Sequence, residues 1–175
     1  MKEITEEDIE ELLPVVDLSG NVIGKEKRGI CHNGSKILHP VVHLHVINNR
    51  GELYLQKRPA WKTIQPSKWD TAVGGHISYG EELLLSLKRE VEEEIGISDF
   101  EAKFVSKYIF ESEIEKELVN VFKTRYSGLI TPSEELSGGA FFSKKEIISY
   151  MNKGFFTPNF ENEWKVLNIE NWLTY

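Results

Sequence analysis

The chain has 175 residues, 40% of them hydrophobic and 28% charged, with a formal charge of −7. That length suits one domain spanning 1–175 with a real core, and the composition is that of an ordinary globular protein rather than a disordered chain. The acidic balance argues against nucleic-acid backbones and anionic membranes as partners, and no apolar stretch approaches the about 20 residues needed to span a bilayer.

The first segment, Met1 to Leu13, is acidic (Glu3, Glu6, Glu7, Asp8, Glu10, Glu11). It lacks the basic start and apolar run of a signal peptide. With a single cysteine, Cys31, no intrachain disulfide forms, and a cytoplasmic location is expected. Pro14 to Leu18 and Val22–Ile23, flanking Ser19–Gly20–Asn21, predict a small hairpin. Val41 to Ile47 is a β-branched run with His43 and His45 interleaved. A turn at Asn48 to Gly51 and a returning strand Glu52 to Gln56 complete a second hairpin. His43 and His45 fall on one strand face and are read as lining or core residues rather than ligands.

Thr71 to Gly75 predicts a short strand entering a glycine turn. Gly80 to Glu94 predicts a helix whose apolar stripe is Leu84, Leu87 and Val91, ended by Gly96. Phe104 to Phe110 and Leu118 to Tyr126 predict strands, and Ala140 to Ser143 a short one. Ser143 with Glu146 predicts a capped helix Lys144 to Asn152. Pro158 to Trp172 predicts a last helix with Phe160, Trp164, Leu167 and Trp172 turned inward. Strands on both sides of a central helix give an α/β (α+β) fold, a mixed sheet in an α/β/α sandwich.

The chemistry is concentrated in residues 75–97. Glu90, Glu93 and Glu94 are spaced i, i+3, i+4 and share one helix face. Three crowded carboxylates repel one another and become favourable around a hard divalent cation such as Mg²⁺, which prefers oxygen ligands. Arg89 can reach back to Glu81, and the Gly75 carbonyl can add an oxygen. A Glu-rich stretch with no further pattern would be a solvated helix face. This one resembles the Nudix box, Gly-x5-Glu-x7-Arg-Glu-U-x-Glu-Glu-x-Gly-U with U a bulky aliphatic, at every fixed position: Gly75, Glu81, Arg89, Glu90, Val91, Glu93, Glu94, Gly96 and Ile97.

The resemblance implies the Nudix fold and a hydrolase that cleaves a diphosphate linkage in a small molecule, a nucleoside diphosphate derivative above all. It implies Mg²⁺ (or Mn²⁺) held by Gly75, Glu90, Glu93 and Glu94, with Arg89 orienting the site through Glu81. It leaves open which glutamate is the base. The expected state is a monomer or a homodimer.

A second resemblance covers most of the chain. Val15 to Gly24, His32 to His39, Gly51 to Arg58 and the run to Trp69 look like isopentenyl diphosphate isomerase, a member of the same superfamily. It implies a second divalent metal at His32, His39, His76, Glu115 and Glu117, and diphosphate contacts from Arg58 and Lys62. Two departures oppose isomerisation: Gly74 stands where the isomerase has its acid–base cysteine, and Asn159 where it has a tryptophan. The complete box is a third, since the isomerase box is usually degenerate. An isomerase and a non-catalytic diphosphate sensor are the alternatives to hydrolysis. Specificity is expected in the loops Arg28 to Pro40, Pro59 to Lys68 and Ser127 to Gly139, and Trp61, Trp69 and Phe155 are either base-stacking or core aromatics.

Overall fold

A computed structural model describes residues 9–62 and 64–173 of the chain. Glu3, Glu6, Glu7 and Asp8 of the acidic N-terminal segment, and Thr63 of the Pro59–Lys68 loop, lie outside the described residues.

The expected first hairpin is β1 (Leu12–Val16) and β2 (Val22–Lys27), closed by the Asp17 carboxylate accepting from the backbone of Ser19 and Asn21. One helical turn, α1 (Arg28–Cys31), follows inside the segment expected as loop. β3 (Leu38–Ile47) and β4 (Leu53–Lys57) form the second hairpin, its turn fixed by Asn48 Oδ1 accepting from the backbone of Arg50 and Glu52. β3 starts earlier than its β-branched run because it pairs in parallel with β8 (Lys116–Arg125) along its whole length.

Thr71 to Gly75 is not one strand. The chain bends at Ala72 to give β5 (Trp69–Thr71), paired with β4, and β6 (Val73–His76), paired with β3. The reason is an available edge: β4 covers β3 only at Val46 and Ile47, leaving Val41 to Leu44 for β6. With β7 (Lys103–Glu111) and β9 (Gly139–Phe142), the seven strands run β5-β4-β3-β8-β7, with β6 on β3 and β9 on β4. Among the described strands β3–β8 is the one parallel ladder, so the sheet is mixed as expected.

The box helix, α2 (Leu83–Ile95), ends at Gly96 in the left-handed conformation, φ 69°. α3 (Lys144–Tyr150) begins with the anticipated Ser143–Glu146 capping box. α4 (Pro158–Val166) is capped by Thr157, which accepts from the Phe160 N–H. The expected continuous helix to Trp172 is interrupted. Asn168 takes φ 50°, which a right-handed helix cannot continue through, and a 3-10 turn, Ile169–Trp172, follows.

Alternation along β3 then sorts the interior. Val42, Leu44 and Val46 pack with Leu87, Val91 and Ile95 of α2 on one face. The other face carries Val41, His43 and His45. On that side Ile47, Leu53 and Leu55 pack with Phe160 and Trp164 of α4 and Ile147 of α3. The sheet thus lies between helices, the expected α/β/α sandwich. Leu44 is fully buried at the centre. Leu44→Ala should lower the unfolding free energy by about 3 kcal/mol in a urea titration.

Candidate active site

Glu90 and Glu94 stand on the face of α2 that meets the β6 loop, and Glu93 faces outward beside them. Glu94 Oε2 accepts from the Gly74 N–H at 3.2 Å and from Gln56 Nε2 at 3.2 Å. Glu90 lies so close to Gly75 that a β-carbon there would stand 2.0 Å from its Cδ, so any side chain at 75 would push the Glu90 carboxylate out of this seat. Burial, with the charge of Glu90, pushes Glu94 up to about 8, and burial also raises Glu90. These three glutamates border an open cleft of about 400 Å³ that Ser133 and Glu135 also line.

Arg89 holds this arrangement. Its Nε and Nη2 donate to both oxygens of Glu81 at 3.0 Å, Nη2 to the His76 carbonyl at 3.1 Å, and Nη1 to Glu90 at 2.8 Å. The fork depresses Glu81 to about 2, chiefly through that hydrogen bond. The pair expected from spacing therefore ties the loop to the helix.

Through the same strand, on the opposite face of the sheet, lies a second cluster. His32 from the loop after α1, His39 of β3 and His76 of β6 converge, with Nε2–Nε2 distances of 3.2 Å (His32–His39) and 3.0 Å (His32–His76). One ligand atom from each of these and from Glu117 lie within 4.8 Å of one another. Glu115 stands at the edge, 3.8 Å from His32 Nε2. Burial lowers all three imidazoles, His32 to about 4, so they are neutral and offer lone pairs. Burial, with the charge of Glu115, raises Glu117 to about 8. Three neutral nitrogens and a buried carboxylate directed at one point suit a divalent cation better than they suit one another.

The remaining expected residues are less convergent. Arg58 donates to the Ile64 carbonyl and reaches Asp70 at 3.5 Å, and Lys62 is half-buried with its ammonium over Trp61. Burial and the Arg58 charge lower Lys62, while the charge of Glu94 opposes that shift. Trp69 stacks on Phe155 and meets Phe142 edge-on within an aromatic cluster, so Trp69 and Phe155 pack, half-buried, against the core.

Sequence reasoning missed a third group. Glu163 of α4 is fully buried and accepts from His43 Nδ1 and His45 Nε2, each at 2.7 Å, from Tyr108 at 2.8 Å and from Thr71 at 3.3 Å. The Tyr108 hydroxyl also lies 2.7 Å from Asn159 Oδ1. The signal was present: Glu163 falls inside the stripe Phe160, Trp164 and Leu167, where a charge needs a partner, and two same-face histidines were available.

The residues 37–160 match the model of the NUDIX domain. The chain belongs to the Nudix hydrolase family. It is 30% identical over 159 residues to an isopentenyl-diphosphate Delta-isomerase of Photorhabdus laumondii, covering 86% of this chain and 90% of that one. To an uncharacterised Nudix hydrolase of Listeria monocytogenes it is 33% identical, over 78% of this chain and 85% of the relative. Among solved structures, DR0079 of Deinococcus radiodurans shares the fold with a TM-score of 0.77 at 19% identity, over 90% of this chain and 99% of that one. No described helix of this Nudix protein is long and apolar enough to cross a membrane.

The His43–Glu163 pair sets a pH dependence of stability. Burial pulls His43 down, but the charge and hydrogen bond of Glu163 outweigh it and raise the imidazole to about 9 from 6.5. A raised folded value means the stabilisation is full below about pH 6.5 and is lost as pH rises through 9. Glu163→Gln should cost about 3 kcal/mol at pH 6.5. In chelator, thermal unfolding from pH 6.5 to 9.5 should show the gap between wild type and variant narrowing.

Proposed function

We propose that this Nudix protein is a Mg²⁺-dependent hydrolase that cleaves a diphosphate linkage in a small molecule, a nucleoside diphosphate derivative. The observation that carries the proposal is the complete carboxylate face of α2, with Glu90 seated against Gly75 and Glu94 on the Gly74 N–H. Two half-buried carboxylates raised above their ordinary range fit a site built for a cation. Glu90, Glu93, Glu94 and the Gly75 carbonyl would hold Mg²⁺ or Mn²⁺. Such an ion lowers the pKa of water and neutralises charge on the transferring phosphoryl group.

The chain's own residues do the rest. Arg89 is the positioning residue, fixing the helix against the loop through Glu81 and the His76 carbonyl. Lys62 and Arg58 supply positive charge on the approach to Glu94 for the diphosphate. His32, His39, His76 and Glu117, with Glu115 beside them, would hold a second divalent ion. The substrate is a small molecule, and neither nucleic acid nor membrane is a partner. A cytoplasmic location and a monomeric or dimeric state complete the proposal.

Glu94→Gln should leave the fold intact and lower kcat by at least about 100-fold, with phosphate or diphosphate release as readout. A variant as active as wild type would remove Glu94 from the machinery.

Isomerisation of an isoprenoid diphosphate is the second reading, favoured by the histidine cluster. Gly74 opposes it, because no side chain there can carry a proton, and Asn159, engaged by Tyr108, has no π face for a carbocation. Incubation with isopentenyl diphosphate in deuterium oxide should therefore give no incorporation of solvent deuterium at carbon.

A further inference from the structure

Gly74 and Gly75 are glycines for different reasons. At Gly75 a β-carbon would displace the Glu90 carboxylate. Gly74 has no positive φ, and a β-carbon there would meet only the His43 ring, Cδ2 and Nε2 each at 3.4 Å, an ordinary contact. Neither backbone conformation nor packing requires a glycine at 74. What its missing side chain leaves uncovered is His43 Nε2.

His43 is 9% exposed. Its Nδ1 is fixed on Glu163, which in turn is held by His45, Tyr108 and Thr71, so the ring cannot turn without breaking a buried network. Among the described residues nothing bonds Nε2, and Nε2 is not one of the sealed, unpartnered atoms of the interior. The nitrogen is therefore an oriented, open polar group next to the exposed backbone of Gly74, one residue from the Gly75 carbonyl. Asn159 and Tyr108 share its network, and Asp70 and Glu117 are close enough to raise it. A hydrocarbon group placed against these residues would strand several polar atoms, whereas an oxygen-bearing group would be paired. With Glu163 ionised, His43 carries a proton on each nitrogen at neutral pH and donates.

The geometry points to His43 as a specificity-determining residue, its Nε2–H donating to an oxygen of the nucleoside half joined to the diphosphate, through the opening left by Gly74. This inference rests on the hydrolase reading above. It adds a contact to the organic half of the substrate, which the box residues do not touch.

The test is calorimetric binding of two non-hydrolysable probes to the full chain with Mg²⁺: methylenediphosphonate and α,β-methylene-ADP. Wild type should bind the nucleotide analogue more tightly than the bare diphosphonate. His43→Asn keeps a donor at the Nδ1 position and removes Nε2, and Gly74→Val covers Nε2 without replacing any side chain of the Glu163 network. His43→Asn should weaken α,β-methylene-ADP by about tenfold with methylenediphosphonate unchanged, and Gly74→Val should weaken α,β-methylene-ADP more than methylenediphosphonate. Equal binding of the nucleotide analogue by His43→Asn and wild type would overturn the proposal, even if Gly74→Val weakens it by steric block. So would equal weakening of both probes, or wild-type binding of the diphosphonate with no gain from the nucleoside. Failure of wild type to bind methylenediphosphonate at all would count against the hydrolase assignment itself and overturn the proposal with it.

Discussion

Glu90 occupies the space that a β-carbon on residue 75 would need, and this close approach of a helix carboxylate to a strand backbone organises the site. It requires α2 to lie tight against β6, which the Arg89 fork accomplishes by binding Glu81 and the His76 carbonyl together. It requires β6 to be fixed, which its pairing with Val41 to Leu44 of β3 accomplishes. Burial of Leu87, Val91 and Ile95 against Val42, Leu44 and Val46 supplies the apolar free energy that offsets the crowding of carboxylates. A chain that merely carried the glutamates on a solvated helix would hold none of these constraints.

The same strand serves two polar centres on opposite faces of the sheet. Gly75 turns toward the carboxylates of α2, and His76 turns toward His32, His39 and Glu117. The alternation of a β-strand thereby places two cation-suited clusters one residue apart in sequence. On the second face the polar groups continue to His43, Glu163, Tyr108 and Asn159, a stretch of interior far more hydrophilic than an apolar tail would favour.

Much of this was legible from residue spacing. The Arg89–Glu81 reach and the glycine end of α2 are local patterns with the expected geometry, and of the i, i+3, i+4 glutamates Glu90 and Glu94 face β6 while Glu93 faces outward beside them. The alternation in β3 likewise put His43 and His45 on one face. What stayed hidden depends on long-range pairing. The split at Ala72 follows from which edge of β3 was free, and the long β3 follows from its parallel partner β8. The break at Asn168 turns on one left-handed residue inside an apolar pattern that would otherwise run to Trp172. Glu163 was passed over because the stripe around it was read for its hydrophobic members, although a carboxylate in such a stripe signals a buried partner.

The most direct measurement is release of phosphate or diphosphate by the purified full chain from a panel of diphosphate compounds, with Mg²⁺ and then with excess chelator. The panel would span nucleoside di- and triphosphates, nucleotide sugars, dinucleotides, thiamine diphosphate and isoprenoid diphosphates. The carboxylate face of α2 predicts turnover of a nucleoside diphosphate derivative that chelator abolishes and Mg²⁺ restores. Release that chelator leaves untouched, or no release from any compound, would contradict a metal-dependent hydrolase built on Glu90, Glu93 and Glu94.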